Sequence, residues 1–334
     1  MADWTAAAMP PLDGKTIVIT GANSGLGYAG SRAFAKRGAT VIMACRSADR
    51  GDAAAAAIRR SISGDHTDDP DLDVRTCDLA SLDSVASFAE SVTADYDSVD
   101  VLCNNAGVMA IPRSETADGF ETQLGVNHLG HFALTGHLFP LLRHADGIGG
   151  DARVVTQSSA AHEQGEMDFS DLNWEESYSK WKAYGRSKLA NLLFAYELQR
   201  RIDGKSDRSG PAVHADRGNN ASETPSIRSL ACHPGYTDTN LQIRTAAESG
   251  NPLLKIGMKA ANAVLGQDAT TGVEPMLYAA TAAVAGGAYI EPGGFMNMRG
   301  HPVVGRSTDA SYDRAAARRL WEYSVEATGV RYGL

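Results

Sequence analysis

The sequence has few cysteines and no long apolar run, and both absences exclude classes of protein. Its four cysteines are Cys45, Cys77, Cys103 and Cys232, and no two form a C-x-x-C pair, so a zinc or redox motif has little support. Each follows a short apolar run, which predicts buried free thiols in a reducing compartment and hence a cytoplasmic location. No stretch approaches the roughly 20 apolar residues of a membrane-spanning helix, and residues 1–12 lack the basic and apolar regions of a secretory signal.

An excess of basic charge is also absent. The 334 residues include 31 Lys and Arg against 40 Asp and Glu, a formal net charge of -9. Nucleic-acid-binding domains usually present a basic surface, so this balance disfavours a nucleic-acid partner. Hydrophobic residues make up 43% and charged residues 21%, which is typical of a soluble globular protein.

Short apolar runs alternate with longer helical patterns, as in a parallel sheet covered by helices. Seven strands are predicted, at residues 16–20, 40–44, 73–76, 99–103, 153–156, 228–232 and 288–290. Helices are predicted at residues 25–37, 49–63, 82–95, 119–143, 184–202, 271–282 and 312–327. Because no repeat or linker divides the chain, we expect one α/β domain over residues 1–334, doubly wound and of Rossmann type, with a mostly parallel seven-stranded sheet.

Two stretches interrupt this alternation. Residues 203–224 are polar and rich in Gly, Ser, Asp and Asn where a short turn would suffice. We interpret them as an exposed insertion, more readily a tolerated surface loop than a partner-binding segment. Residues 236–267 follow the sixth predicted strand, and we expect a lid over substrate and cofactor, since closure would exclude water. A permanently packed helix, or an exposed face that touches a membrane, is the alternative for this stretch.

A glycine-rich segment follows the first predicted strand and opens the first predicted helix, with the spacing G-x-x-x-G-x-G. Its glycines let the chain turn sharply and bring backbone amides close to a pyrophosphate, and the helix N-terminus adds a positive partial charge. The segment therefore predicts a dinucleotide site. Its expected contacts are Gly21, Asn23, Ser24, Gly25, Leu26 and Gly27.

The residues after the second predicted strand favour NADP(H) over NAD(H). An enzyme that selects NAD usually has an acidic residue there, which holds the ribose hydroxyls. This strand instead continues into Arg46 and Ser47. Arg46 could pair with a 2′-phosphate through its planar guanidinium, and Ser47 could add a hydroxyl donor. A solvated surface arginine is the alternative interpretation.

Three further residues have the chemistry of proton transfer. Tyr184 and Lys188 are four positions apart on a predicted helix, so they lie on one face. A nearby ammonium and the cationic ring of an oxidised nicotinamide would both lower the tyrosine pKa from about 10 toward neutral pH. One of the two serines that end the fifth predicted strand, Ser158 or Ser159, could hydrogen-bond a substrate oxygen as its charge develops.

Five motifs follow one another along the chain: the loop from Thr20 to Gly27, Asn104-Asn105-Ala106-Gly107, the serine, Tyr-x-x-x-Lys, and His233-Pro234-Gly235. In this order they resemble the short-chain dehydrogenase/reductase family, over nearly the whole chain. The resemblance implies reversible hydride transfer between a nicotinamide and a carbonyl/alcohol pair of a small-molecule substrate.

The resemblance also implies a role for each matching residue. Tyr184 would be the general acid/base, Ser159 would polarise the carbonyl, and Lys188 would lower the tyrosine pKa and hold the nicotinamide ribose. Asn127 would position a proton-relay water. The implied cofactor contacts are Asp78 and Leu79 at the adenine, Asn104, Ala106 and Gly107 along the cleft, Pro234 and Gly235 at the nicotinamide, and Thr237 or Thr239 at its carboxamide.

One departure from the plainest family members is a longer segment before the tyrosine, since Ser159 and Tyr184 are 25 positions apart. With its tryptophans, this segment resembles the retinol-dehydrogenase-like and protochlorophyllide-reductase-like branch. Trp174, Tyr178 and Trp181 could wall an apolar substrate pocket or form the core of the segment. The resemblance further suggests a homodimer or homotetramer that pairs through the predicted helices 119–143 and 184–202.

Two other hypotheses are weaker. His128, His131 and His137 fall on one predicted helix, but no Cys, Asp or Glu joins them at ligand spacing, so we predict packed or surface histidines and no metal. A dinucleotide-binding redox sensor without turnover is the alternative function. Such a sensor needs no proton relay, so the set of Asn127, Ser159, Tyr184 and Lys188 favours an enzyme.

Overall fold

The computed structural model describes residues 3–62, 69–147, 151–204, 227–235, 268–294 and 297–334. Its sheet is built of β1 Thr16–Thr20, β2 Thr40–Cys45, β3 Leu72–Thr76, β4 Val101–Asn104, β5 Arg153–Gln157, β6 Arg228–Cys232, β7 Tyr289–Pro292 and β8 Pro302–Gly305. Their order is β3-β2-β1-β4-β5-β6-β7-β8. Neighbouring strands are parallel except for the antiparallel pair β7 and β8.

The prediction of seven strands was therefore short by one among the described residues. The missed strand, β8, has only four residues, begins with a proline and lies at the edge of the sheet. Its two valines, Val303 and Val304, are 41% and 58% exposed, so it lacks the buried apolar run by which the other strands were predicted.

Helices cover both faces of the sheet. The longer described ones are α1 Gly25–Ala35, α2 Ala48–Ile62, α3 Leu82–Asp95, α4 Gly130–Gly147, α5 Lys180–Ile202, α6 Glu274–Thr281 and α7 Arg314–Thr328. Alternate strand residues face opposite layers: Ile17 and Ile19 of β1 pack with α1, α2 and α6, whereas Val18 packs with α3, α4 and α5. This alternation follows from the two-residue period of a strand.

Two helices differ from their predicted bounds near the site. The predicted helix 119–143 is a short turn at Thr122–Leu124, a π-helical turn at Gly125–Leu129 and then α4. The predicted helix 184–202 begins four residues earlier, at Lys180, so Tyr184 lies in its second turn. A π-turn widens the helix locally and is frequent at functional sites.

The C-terminal helix α7 packs on α4 and α5. Its Trp321 ring lies 5.1 Å from Phe132 and 6.0 Å from Phe194, and Tyr332 beyond it lies 5.0 Å from Phe132. Residues 183–199 of α5 are buried without a break. The chain itself therefore covers much of the helical surface through which pairing was expected, and the homodimer or homotetramer stays a prediction.

The two interrupting stretches fall largely outside the described residues. All of the predicted lid, 236–267, and residues 205–224 of the insertion lie there, as do Thr237 and Thr239. Within the described ranges, no helix is both long enough and apolar enough to cross a membrane.

Candidate active site

The carboxyl ends of the parallel strands meet at one edge of the sheet, around the point where the strand order reverses between β1 and β4. Ile19 of β1 pairs with Cys103 of β4, and Asn104 pairs with Thr156 of β5. Gln157 at the end of β5 pairs with Cys232 of β6. Doubly wound sheets bind ligands at this position, because the loops diverge there and leave a crevice.

The glycine loop fits a dinucleotide at this edge. Gly21 and Gly25 have φ of +67° and +53°, a conformation that side chains disfavour. A Cβ on Gly27 would lie 2.2 Å from the carbonyl oxygen of Gly21, so only glycine allows this closeness. Ser24 precedes α1 without a side-chain capping bond, and the first turn of α1 contains no acid. The amino end of α1 is thus suited to an anion.

Arg46 follows β2, the strand adjacent to the glycine loop. The amide of Gly21 donates to the carbonyl of Ala44 at 2.8 Å, which ties the loop to the end of that strand. Arg46 is exposed, and within the described ranges it makes no hydrogen bond or ion pair. Ser47 is half-buried, and its hydroxyl accepts from the Arg50 amide at 3.5 Å. Neither side chain is thus fully buried where β2 ends beside the glycine loop.

The turn after β4 is attached to the end of β1 by Thr20. The Thr20 hydroxyl accepts from the amides of Asn105 and Ala106, each at 2.9 Å. Asn104 is buried, and its side-chain amide donates to the Thr135 hydroxyl of α4 at 2.9 Å. Its side chain thus holds the turn, while the backbone of Ala106 and Gly107 borders the crevice.

The adenine side of the expected site lies after β3. Asp78 is half-buried, and its carboxylate accepts from the Ala80 amide at 3.0 Å. Leu79 is buried and packs against α4, where a Cβ on Gly130 would lie 2.5 Å from its carbonyl oxygen. The Asp78 side chain therefore fixes its own turn.

Asn127 lies in the π-turn and is fully buried. Its side-chain oxygen accepts from the Val108 amide at 2.8 Å. Its side-chain nitrogen donates to the Val108 carbonyl and to the Ser187 hydroxyl of α5, both at 2.9 Å. The asparagine thereby holds the segment after Gly107 against the helix that carries Tyr184.

Ser159, Tyr184 and Lys188 lie together. The Ser159 side chain lies close enough to the Tyr184 phenol to lower its pKa, and the Lys188 ammonium lies 5.8 Å from the centre of the Tyr184 ring. The ammonium donates to the Gln157 carbonyl at 3.2 Å and is 3.5 Å from where a Gly107 Cβ would stand. By contrast, the Ser158 hydroxyl is buried and donates to the Lys188 carbonyl at 2.9 Å. The geometry thus favours Ser159 over Ser158.

Burial is the largest cause of the pKa shifts of both Tyr184 and Lys188. It raises the pKa of Tyr184 above 10.0, against the lowering effect of the Ser159 side chain. It lowers the pKa of Lys188 to about 8, against the raising effect of Cys232. Without cofactor, the pKa of the phenol is thus raised, because desolvation of the phenolate outweighs the effect of Ser159. The lowering expected from Lys188 together with a bound oxidised nicotinamide stays a prediction.

The segment between Ser159 and Tyr184 is packed on the body by Arg186. Its guanidinium donates to the carbonyls of Glu166 and Asp171, at 2.9 and 2.6 Å. The same group lies 4.1 Å from the centre of the Trp174 ring. Trp174 is half-buried and is held by this contact, and its place in a substrate pocket or in the core of the segment stays a prediction. Sequence reasoning missed this arginine, because nothing marks a helical arginine as the support of a distant loop.

Gln123 is a second missed residue, fully buried beside the start of α5. Its amide oxygen accepts from the Ala110 amide at 2.7 Å, and its nitrogen donates to the Tyr178 hydroxyl and the Lys180 carbonyl at 2.8 and 2.9 Å. The hydroxyl of the half-buried Tyr178 is thus tied to Gln123. Trp181, one turn before Tyr184, is instead 49% exposed, with its ring 6.3 Å from the Tyr184 ring.

The segment after β6 completes the described part of the site. Gly235 has φ of +67°, and its amide donates to the His233 ring at 3.1 Å. The His233 ring stacks on Tyr289 with centroids 5.7 Å apart, so it is held in place. Pro234 and Gly235 are half-buried beside the end of β5. Among the described residues, no three His, Cys, Asp or Glu side chains converge on a metal position.

Comparison with known proteins identifies the family of this chain. A family model described as short chain dehydrogenase matches residues 15–205. The chain belongs to the short-chain dehydrogenase family. It is an oxidoreductase of the retinol-dehydrogenase-like branch, which confirms the resemblance drawn from its motifs.

Two curated relatives and one solved structure show which members of the family this chain is similar to. Human retinol dehydrogenase 12 is 36% identical over 326 residues, 96% of this chain and 88% of that protein. Mouse retinol dehydrogenase 14 is 46% identical over 198 residues, a match that spans 58% of either chain. An uncharacterized protein from Mycobacterium paratuberculosis has 38% identity and a TM-score of 0.75 over 100% of both chains.

Proposed function

We propose that the chain is an NADP(H)-dependent oxidoreductase that transfers a hydride between the nicotinamide and a carbonyl/alcohol pair, with Tyr184 as general acid/base. The observation that carries this proposal is the contact of Tyr184 with Ser159, beside Lys188, at the sheet edge that also carries the glycine loop. A redox sensor has no use for a proton donor buried at this edge. Family membership supports nicotinamide binding in general.

The raised pKa of Tyr184 keeps the phenol in the form that carbonyl reduction requires. At neutral pH the phenol holds its proton and can donate it to a substrate oxygen. The Ser159 hydroxyl lies against the phenol and can donate to the same oxygen as negative charge develops. When bound, NADPH supplies the hydride to the carbonyl carbon. The positive charge of Lys188, 5.8 Å from the centre of the phenol ring, favours the phenolate that remains after the transfer.

The choice of NADP(H) rests on Arg46. The residue is exposed at the end of β2 and lacks a described ion-pair partner, so its guanidinium can bind a 2′-phosphate. The short stretch from Arg46 to Ala48 contains no acid that would repel that phosphate. Ser47 adds a hydroxyl at the same corner.

The substrate is proposed to be of moderate size and partly apolar. Trp181 is a large apolar side chain left half-exposed next to Tyr184, and aromatic walls are common in pockets for such ligands. The relatives named retinol dehydrogenases agree with this class. The cytoplasmic location also stays a proposal, supported by four free cysteines that are all buried.

A carbonyl screen tests the proposal. Purified protein is incubated with NADPH or NADH and a panel of aldehydes and ketones, and absorbance of the reduced nicotinamide is followed. The expected result is steady consumption of NADPH by the wild type, faster than of NADH, and its loss in Tyr184→Phe with NADPH affinity retained. A sensor would bind NADPH equally in both proteins and consume none with any carbonyl.

A further inference from the structure

His131 is a buried histidine that the proposed reaction does not use. It is the second residue of α4, directly after the π-turn, and is 1% exposed. Its Nε2 lies 2.9 Å from the Thr20 hydroxyl, and its Nδ1 lies 3.0 Å from the Asn127 carbonyl oxygen. The ring therefore bridges the end of β1 and the residue expected in the proton relay.

The partners of Thr20 determine which ring nitrogen carries the proton. A hydroxyl has one proton and two acceptor sites. Both acceptor sites of Thr20 are taken by the amides of Asn105 and Ala106, each at 2.9 Å. Its proton must then be donated, and Nε2 of His131 at 2.9 Å is closer than the Cys103 carbonyl at 3.4 Å. Nε2 is thus an acceptor, and Nδ1 carries the proton that is donated to Asn127.

The surroundings favour this uncharged form. Burial, against the raising effect of the Asn127 hydrogen bond and helped by the positive charge of Lys188, lowers the pKa of His131 to about 4. A charged ring would have protons on both nitrogens, and the proton on Nε2 would face the Thr20 hydroxyl proton. The neutral form with the proton on Nδ1 is the one that satisfies every partner.

We propose that His131 is a positioning residue that couples the cofactor loop to the catalytic helix. Thr20 directly precedes Gly21 and holds the turn at Asn105 and Ala106. Asn127, at the other nitrogen of His131, holds Val108 and the Ser187 hydroxyl of α5. One ring thus joins the loop expected to bind pyrophosphate to the helix that carries Tyr184. This role rests on the proposed function of the site.

His128 provides a matched control three residues earlier, within the π-turn. It is also 1% exposed, but its Nε2 bonds the Ser324 hydroxyl of α7 at 2.8 Å, away from the crevice. Its ring packs 6.2 Å from Phe132 and 6.0 Å from Phe194. Replacing either histidine removes a buried, hydrogen-bonded imidazole, and only His131 touches the two segments of the proposed site.

The test compares His131→Phe with His128→Phe. Thermal unfolding, the NADPH dissociation constant from cofactor fluorescence, and kcat with a carbonyl substrate are measured for both. We expect both variants to lose stability, but only His131→Phe to weaken NADPH binding and lower kcat, each by about tenfold or more, since misplacement of roughly 1 Å costs this much. Equal effects in the two variants, or unchanged NADPH affinity in His131→Phe, would overturn the proposal.

A second measurement does not depend on variants that fold. The ring nitrogens of 15N-histidine-labelled wild type, without cofactor, report the tautomer by their chemical shifts at neutral pH. We expect the neutral Nδ1-protonated form at His131, and an Nε2-protonated or charged ring would refute the assignment. Failure of the proposed function is distinguishable, because a wild type that consumes no NADPH can still show the selective loss of binding in His131→Phe.

Discussion

Replacing Lys188 by methionine should stabilise the protein without cofactor while it abolishes turnover. Lys188 is 4% exposed, and burial lowers its pKa from 10.5 to about 8. At about 1.36 kcal/mol per pKa unit, this difference means that charged Lys188 costs the fold roughly 3 kcal/mol. Methionine has a similar length and carries no charge, so that cost disappears.

Part of this gain is offset by a lost hydrogen bond. Lys188 donates to the Gln157 carbonyl at 3.2 Å, a bond with a net contribution of about 1 kcal/mol. The carbonyl keeps a second donor, the Asn191 side-chain amide at 2.9 Å, and is not left unsatisfied. We therefore expect Lys188→Met to raise the free energy of unfolding by about 2 kcal/mol at pH 7.

The gain should depend on pH in a definite direction. Below pH 8 Lys188 is charged in both the folded and the unfolded chain, and its full cost applies. Between about pH 8 and pH 10.5 the folded chain loses its proton first, so the wild type gains stability relative to the variant. By about pH 9.5 the advantage of methionine should have fallen by more than half.

Urea unfolding of the cofactor-free proteins at neutral and alkaline pH measures the difference in free energy of unfolding between Lys188→Met and wild type. Lys182→Met is the control, since Lys182 is an exposed lysine on the same helix, and it should change stability by no more than about 0.5 kcal/mol. The reasoning is refuted if Lys188→Met is no more stable than wild type at pH 7, or if its advantage does not shrink as the pH rises.

Three further substitutions test the proposed roles. Arg46→Asp should reduce kcat/KM for NADPH by about thirtyfold or more and reverse the cofactor preference, since a charge-assisted hydrogen bond is lost and a repulsion gained. Arg50→Asp on the next turn should not reverse it, and an equal effect of the two would contradict the assignment. Ser159→Ala should lower kcat by about a hundredfold, whereas Ser158→Ala should lower mainly stability, which steady-state kinetics and thermal unfolding would separate. Trp181→Ala should raise KM about tenfold for large apolar carbonyls but not for small ones, and a uniform change across the panel would argue against an apolar wall.

The parallel sheet was predictable because its strands carry a strong local pattern. Residues such as Ile17, Val18 and Ile19 are buried on both faces, so they form a continuous apolar run in the sequence. The strand β8 has no such pattern, because its valines face solvent and its pairing with β7 is non-local. A short edge strand such as β8 forms because it pairs with the adjacent strand, and its own residues carry little strand pattern.

The main groups of the site were predictable for a similar reason, since the family motifs are contiguous or nearly so. The glycine loop and the Tyr-x-x-x-Lys pair each lie within one turn of structure. The residues that hold these groups in place were not predictable in this way. Gln123 joins Ala110 to Lys180, and His131 joins Thr20 to Asn127. Such bridges depend on chain segments that meet only in the fold. Burial, which raises the pKa of Tyr184 in the protein without cofactor, could not be weighed from neighbouring residues in the sequence alone.

The central claim is that Tyr184 gives a proton to a carbonyl oxygen while the nicotinamide gives a hydride to its carbon. The most direct measurement uses NADPH deuterated at the nicotinamide C4 position, with a carbonyl substrate selected from the screen and the product analysed by mass spectrometry. Wild type should place one deuterium on the carbinol carbon, and Tyr184→Phe should bind the cofactor with similar affinity but form little labelled alcohol. Labelled product at equal rates from both proteins, or none from wild type with any carbonyl, would contradict the account.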